Sequence, residues 1–255
     1  MPAPDAASPI ENPVQKMSAM YRWTRHIYDV SRRYYFLGRD DLLRAIAARP
    51  GGAVLEVGCG TARNLHRLDE WAPQHQLYGL DASLSMLATA RETLDRTHRT
   101  DRITLGHGLA QALAPQRQLR TETDFDIVFF SYVLSMIPSW PAALRSTFRH
   151  LAPDGRVYIV DFWDQADLPD WVASGLQRWL ALFDVYPRPR LVHTLQRLGR
   201  IDGVSCVVEP VARRYAYRAL LAFDGPVPSE ALDRLPASPA APEGQRYGSS
   251  DVIAA

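Results

Sequence analysis

Glu56, Gly58, Gly60 and Asp81 are the residues whose types and spacing point most directly to chemistry. In Val54-Leu55-Glu56-Val57-Gly58-Cys59-Gly60-Thr61, two glycines one residue apart let the backbone pass close to a ligand. The helix predicted to follow opens with unpaired N–H groups. Asp81 closes the next predicted strand, 21 residues after Gly60. A carboxylate there can accept hydrogen bonds from both hydroxyls of a ribose. Together these residues imply a nucleoside cofactor at the carboxyl ends of parallel strands.

The side chains around the turn narrow the choice. A dinucleotide fingerprint needs a third glycine, and Arg63 and Asn64 stand in that region. Glu56, two residues before Gly58, would repel a pyrophosphate but suits an ammonium group. A cofactor with adenine, a ribose and an amino-acid tail meets these demands, and S-adenosylmethionine is that molecule. An NAD(P)-dependent oxidoreductase is the rival that these residues disfavour. Cys59, inside the turn, reads as a small close-packed residue and not as a nucleophile.

The elements that must hold these residues alternate regularly. Strands are predicted at Ala53–Val57, Gln76–Leu80, Ile103–Gly106, Asp126–Ser131 and Arg156–Asp161. Helices are predicted at Asp40–Ala48, Ala62–Trp71, Ser83–Leu94, Pro138–Leu151, Leu168–Phe183 and Arg190–Leu198, with a loop carrying helical pieces over 110–124. Val204–Val208 and Arg213–Leu221 read as two last strands around a Glu-Pro turn, forming an edge hairpin. Such β-α alternation implies an α/β fold, Rossmann-like, with a seven-stranded, mostly parallel sheet and helices on both faces. Before it, Met17–Leu37 reads as an amphipathic helix, part of an N-terminal helical lid over 17–49. Residues 1–16 read as a disordered leader, 50–225 as the cofactor-binding domain and 226–255 as a loose tail rich in Pro and Ala.

The motif VLEVGCGTARN resembles the first motif of the class I S-adenosylmethionine-dependent methyltransferases, and GLDAS resembles their strand-two acid. FDIVFFSYVLSMIP and LAPDGRVYIVDF are similar to the later strands of that fold, so the resemblance spans residues 53–161. It implies that Glu56 holds the methionine end of the cofactor, with Asn64 nearby. Gly58, Cys59 and Gly60 give it room, and Asp81 binds the ribose. Ala82, Met86, Gly108 and Leu109 flank the adenine, while Ser131 and Tyr132 border the methyl group. The family often carries an acid where Leu109 stands here, so backbone groups and apolar contact are expected to hold the adenine.

A narrower resemblance lies outside that core. MYRWTRHIYDVSRRYYFLGRD, SYVLSMIPSW and DFWDQADLPDWVASGLQRWLALFDVYPR are similar to the N-methyltransferases of betaine-lipid synthesis, from about Met17 to Arg190. Asp184 stands where that pattern carries His. The resemblance implies N-methylation of an amino-acid-type lipid head group such as diacylglyceryl-homoserine. The stretch IYDVSRRYYFLGRD is also similar to the lid of quinone C-methyltransferases, so C- or O-methylation of a quinone-like or other small molecule is the alternative.

The acceptor side is read from aromatic and basic residues. Aromatic faces stabilise a growing quaternary ammonium by roughly 0.5–2 kcal/mol each. Tyr21, Tyr28 and Tyr35 recur every seven residues, and Tyr132 follows strand four. Tyr28 and Tyr132 are the candidate catalytic residues, and a Tyr-Asp pair such as Tyr28-Asp29 also recurs in methyltransferases that close a helix over the cofactor. Packing against the sheet edge is the plainer role for the stripe. A head-group carboxylate calls for a bidentate Arg. Arg39, Arg188 and Arg190 are candidates, and Tyr21, Tyr35, Arg39 and Arg188 are the expected substrate contacts. Asp161 and Asp164 read as helix caps or a solvated turn in preference to a catalytic base. His107 falls near the expected adenine.

Composition excludes several classes. Charge is nearly balanced, with 29 basic and 28 acidic residues, so no broad field marks a nucleic-acid binder. Lys16 is the only lysine, which leaves Arg, with its planar fork, to meet any anion. The two cysteines, Cys59 and Cys206, make no disulfide framework and fit a reducing compartment. Seven scattered histidines show no zinc-ligand spacing, so no metal is expected. No apolar run is long enough to span a bilayer. The expected setting is the cytoplasm, with peripheral contact at the inner membrane through the basic N-terminal helix.

Overall fold

Strand β1, Ala53–Val57, is buried along its whole length, as an apolar run in the middle of a parallel sheet must be. The computed structural model describes residues 36–181 and 185–237. Residues 1–37 form one unit and 38–255 another, and the second carries the sheet and every described helix. Tyr21, Tyr28, Tyr35, Asp184, the expected Met17–Leu37 helix up to residue 35 and the 1–16 leader lie outside the described residues, and Phe36 and Leu37 are not helical.

The sheet has seven strands in the order β3-β2-β1-β4-β5-β7-β6. Its other members are β2 (Gln76–Asp81), β3 (Ile103–His107), β4 (Phe125–Ser131), β5 (Leu151–Phe162), β6 (Val204–Val211) and β7 (Ala216–Phe223). β1 pairs in parallel with both β2 and β4, whereas β7 runs antiparallel between β5 and β6. The order reverses at β1, which opens a crevice at the carboxyl ends of β1, β2 and β4.

The helices are α1 (Arg39–Ala47), α2 (Arg63–Trp71), α3 (Leu84–Arg96), the short α4 (Pro115–Gln118), α5 (Trp140–Phe148), α6 (Asp170–Ala181), α7 (Pro189–Leu198) and α8 (Ser229–Asp233). Strand alternation divides the two faces. Ala53, Leu55 and Val57 join a core with Leu144 and Phe148 of α5 and Leu191 and Leu195 of α7. Glu56 points to the other face, where Asn64 of α2 meets it. An ion pair from Arg67 to Asp40 ties α2 to α1.

Three segments differ from the sequence reading. β5 begins at Leu151, not Arg156, because the Ala152-Pro153-Asp154-Gly155 turn loops out within the strand. There the register with β4 jumps from Phe125↔Leu151 to Ile127↔Arg156. The last hairpin does not turn at Glu209-Pro210. Both residues lie in β6, and the turn falls at Ala212, Arg213 and Arg214, all in the left-handed region. An edge strand tolerates Pro210 because a proline there costs no ladder bond on its open side. Finally, residues 226–237 are packed: α8 buries Ala231, Leu235 is 3% exposed, and Arg145 donates to the Leu235 carbonyl at 2.9 Å.

Candidate functional site

The glycine turn is built from both neighbouring strands. The N–H groups of Gly58 and Cys59 donate to the Leu80 carbonyl of β2 at 2.7 and 3.1 Å. Gly58 has φ +77°, and a Cβ there would lie 2.4 Å from Val133 Cγ2, so only glycine fits. Gly60 has φ +54°, and a Cβ there would meet nothing within 4 Å. One glycine is therefore packed and the other faces open space, the room that an approaching ligand needs.

Asp81 locks this turn to the next helix. Its Oδ2 accepts the Gly60 N–H at 2.7 Å, and its Oδ1 accepts the Ser83 N–H at 2.8 Å. Each oxygen keeps a second lone pair, so the carboxylate can still receive two ribose hydroxyls. Ser83 caps α3 by accepting the Met86 N–H at 3.3 Å. Beside it Ala82 is exposed and Met86 half-buried.

Glu56 is 1% exposed and accepts Asn64 Nδ2 on Oε1 at 2.6 Å. Asn64 Oδ1 is buried without a hydrogen-bond partner and remains available to a donor. Cys59 is packed under the turn, its sulfur where a Cβ on Gly79 would come within 2.8 Å. Burial, then the carboxylates of Glu56 and Asp81, push its thiol well above the ordinary range, which leaves it protonated and inert.

The expected adenine side follows β3. Gly108 N–H donates to the Asp81 carbonyl at 3.0 Å, and a Cβ on Gly108 would collide with the Gln118 side chain. Leu109 is 41% exposed, an apolar surface beside the acid-free position. His107 Nε2 lies 3.2 Å from the Ala82 carbonyl, a contact within the site wall.

Ser131 ends β4, and Tyr132 follows it in the left-handed region with φ +56°. Few bulky side chains adopt that backbone, and it gathers at functional sites. The Tyr132 ring packs edge-on against Phe162 at 4.8 Å, and Phe162 against Tyr215 at 5.6 Å. Burial first, then Tyr215 and Asp161, push the phenol well above its ordinary range. Tyr132 therefore keeps its proton at neutral pH and offers a ring face and a hydroxyl, not a base.

Asp161 departs from the sequence expectation. It neither caps a helix nor lies in a solvated turn, but is 1% exposed at the end of β5. Its Oδ2 accepts the Ser135 N–H at 2.9 Å and its Oδ1 the Phe162 N–H at 2.8 Å. Burial pushes its carboxyl up from 3.8 to about 6, against the pull of the Ser135 hydrogen bonds. The Ser135 carbonyl in turn accepts the Tyr186 N–H at 3.2 Å, which brings the 185–188 segment over this end of the sheet. Arg188, half-buried, has its pKa lowered by burial and partly restored by Asp161. Arg190 is exposed. Asp164 pairs with Arg214, whose guanidinium lies 4.5 Å over the Trp163 ring.

Arg39 is not grouped with Arg188. It opens α1, is 6% exposed, and lies in the fields of Arg63, Asp40, Arg67 and Glu56. Sequence reasoning missed two further residues. Ala62 precedes α2 with φ 59°, a left-handed position where its spacing from Gly58 and Gly60 could have signalled a third glycine-like turn residue. Gln118 braces Gly108 from the short α4, in a segment read as a loop with helical pieces, and no local pattern marked it. Among the described residues, no group of three or more His, Cys, Asp or Glu could hold a metal ion.

A family model described as "Methyltransferase domain" matches residues 55–157, the stretch that holds the turn, Asp81, Ser131 and Tyr132. The demethylmenaquinone methyltransferase of Listeria welshimeri is 28% identical over 143 residues, covering 56% of this chain and 58% of that protein. The nocamycin O-methyltransferase of Saccharothrix syringae is 30% identical over 180 residues, covering 70% of this chain and 61% of that one. This chain thus spans about three fifths of the length of these curated relatives. Among solved structures, a SAM-dependent methyltransferase from Aquifex aeolicus superposes with a TM-score of 0.52 at 16% identity, covering 75% of this chain and 93% of that one. The fold is the Rossmann-like α/β fold of class I methyltransferases. The segment 55–157 is thus similar to a methyltransferase domain, and the fold is shared with a structure described as a SAM-dependent methyltransferase.

Proposed function

We propose that this protein transfers a methyl group from S-adenosylmethionine to a small-molecule acceptor. The observation that carries the reading is the open Gly60 position, with its turn clasped by Asp81 beside the buried Glu56–Asn64 pair. A carboxylate suits ribose hydroxyls and the Glu56–Asn64 pair suits an ammonium, the two polar ends that one cofactor presents. Asp81 takes the ribose hydroxyls, while Ala82, Met86, Gly108 and Leu109 wall the adenine. Gly58, Cys59 and Gly60 carry the backbone that the cofactor lies against. Bound there, S-adenosylmethionine supplies an electrophilic methyl group on a sulfonium. Ser131 and Tyr132, at the end of β4, border it and exclude water, and alignment of this kind is most of what methyl transfer asks of a protein.

An NAD(P) site is disfavoured, because Glu56 would meet a pyrophosphate and the domain match is to methyltransferases. Calorimetry with S-adenosylhomocysteine and with NADH tests this. Binding of the first alone is expected, and binding of NADH alone would overturn the cofactor assignment.

The finer reading is N-methylation of an amino-acid-type lipid head group. Its support is the resemblance of the 161–188 segment and the half-buried Arg188 within the field of Asp161, a cation suited to a head-group carboxylate. Tyr28, with Tyr21 and Tyr35, would add ring faces, and the Met17–Leu37 helix would make the peripheral membrane contact. Methylation at carbon or oxygen of a quinone-like acceptor is the second reading. The menaquinone and nocamycin enzymes among the relatives favour it, as does the Tyr132–Phe162–Tyr215 aromatic wall. Labelled S-adenosylmethionine incubated with lipid extract separates the two. Label in an amine-bearing lipid supports the first reading, and label only in a quinone defeats it.

A further inference from the structure

Three polar groups meet at the end of β5, and the donor contacts use none of them. Asp161 and Tyr217 are register partners on β5 and β7, so their side chains share a face, and each residue is 1% exposed. Tyr217 feels the charge of Asp161, yet its hydroxyl is buried without a hydrogen-bond partner. Arg188, just before α7, lies in the field of the same carboxylate, and its Nε is likewise buried without a partner. Each Asp161 oxygen accepts one backbone N–H and keeps a lone pair. A polar atom left unpaired out of water is costly, and two around one carboxylate mark a place kept for a ligand. One carboxylate balances one guanidinium, so that place suits a neutral group and not an ion. It offers donors at Arg188 and Tyr217 and an acceptor at Asp161. A hydroxyl, which both donates and accepts, answers all three. The Trp163 ring, edge-on to Tyr217 at 5.9 Å, adds an apolar wall for the carbon frame that carries such a hydroxyl.

Resting on the methyl-transfer reading above, we infer that Asp161, Tyr217 and Arg188 hold the methyl acceptor by a neutral hydroxyl group. The acceptor is then a hydroxylated molecule, in line with the second of the two readings. Arg188 does not serve a free carboxylate, because Asp161 balances its charge. Tyr217, which no sequence pattern marked, is a specificity residue for that acceptor.

The test is saturation-transfer NMR of the full chain with phenol, anisole and benzoate, which share a ring and differ in bearing a hydroxyl, a methyl ether or a carboxylate. Phenol is expected to bind about 3- to 10-fold more tightly than either of the others, the worth of one hydrogen bond. Tyr217→Phe and Arg188→Gln should each reduce that preference. Without ligand, Tyr217→Phe should keep or raise Tm, because it deletes a hydroxyl that bonds nothing in the fold. Benzoate binding more tightly than phenol would overturn the inference in favour of a head-group carboxylate. No preference for phenol over anisole would overturn it as well. So would a fall in Tm in Tyr217→Phe, which would give the hydroxyl a purely structural role. Failure of labelled S-adenosylmethionine to methylate any component of a lipid extract would instead overturn the methyl-transfer reading beneath it, whatever phenol does.

Discussion

At the scale of single residues, the same chemical group does different work according to its burial. Asp81 and Asp161 both lie at the carboxyl ends of strands, the last residue of β2 and the last but one of β5, and both accept two backbone N–H groups. Asp81 is half-exposed at the glycine turn, whereas Asp161 is sealed beneath the 185–188 segment. Asp81→Ala is expected to weaken S-adenosylhomocysteine binding by about 1.5–3 kcal/mol, measured by calorimetry. Asp161 instead shapes the pH dependence of folding. Its carboxyl rises from 3.8 unfolded to about 6 folded, so the native state holds the proton longer. Stability is then lost as pH climbs through that window, by on the order of 3 kcal/mol in all. Asp161→Asn cannot ionise, so its stability relative to wild type should improve between about pH 4 and pH 7 in urea melts. A difference independent of pH would contradict the burial argument. The acid at position 161 could be read from the sequence, but its burial could not. That depends on Ser135 and Tyr186, which are near it only in space.

At the scale of elements, local pattern was a good guide wherever a strand, a turn and a helix follow one another without long-range help. Val54-Leu55-Glu56-Val57-Gly58 declares strand and turn through apolar run and glycine, and β1 and α2 fall within a residue of the sequence reading. The reading failed where sheet position decides. Pro210 looks like a turn residue until β6 proves to be an edge. The segment after 225 looks unstructured until α8 finds a place for Ala231 in the core. Two substitutions test the turn as a unit. Gly58→Ala, with φ +77° and Val133 in the way, should cost about 2–4 kcal/mol in a denaturant melt and abolish cofactor binding. Ala62→Gly relieves a left-handed alanine at φ 59° but gives up a buried methyl group. The two effects, about 1–2 and about 0.8 kcal/mol, should leave a net gain of a few tenths to about 1 kcal/mol. A loss of stability there would show that the Ala62 methyl contact outweighs the strain.

At the scale of the whole molecule, the sheet order gathers most of the proposed donor contacts at the carboxyl ends of β1–β4. β1 supplies Glu56 and the turn, β2 Asp81, β3 Gly108 and Leu109, and β4 Ser131 and Tyr132. Antiparallel β7 lies beyond β5 and sets Tyr217 opposite Asp161, on the acceptor side. On the proposed function, donor groups would lie along β1–β4 and acceptor groups toward β5 and β7. A ligand held by so many elements should stabilise the fold by mass action, raising Tm with concentration. The most direct test of the donor site is a calorimetric titration of the full chain with S-adenosylhomocysteine, repeated in Asp81→Ala and set against NADH. Saturable one-site binding of S-adenosylhomocysteine, weakened in Asp81→Ala and absent for NADH, is the predicted result. No heat and no change in Tm with S-adenosylhomocysteine, or saturable binding of NADH in its place, would contradict it.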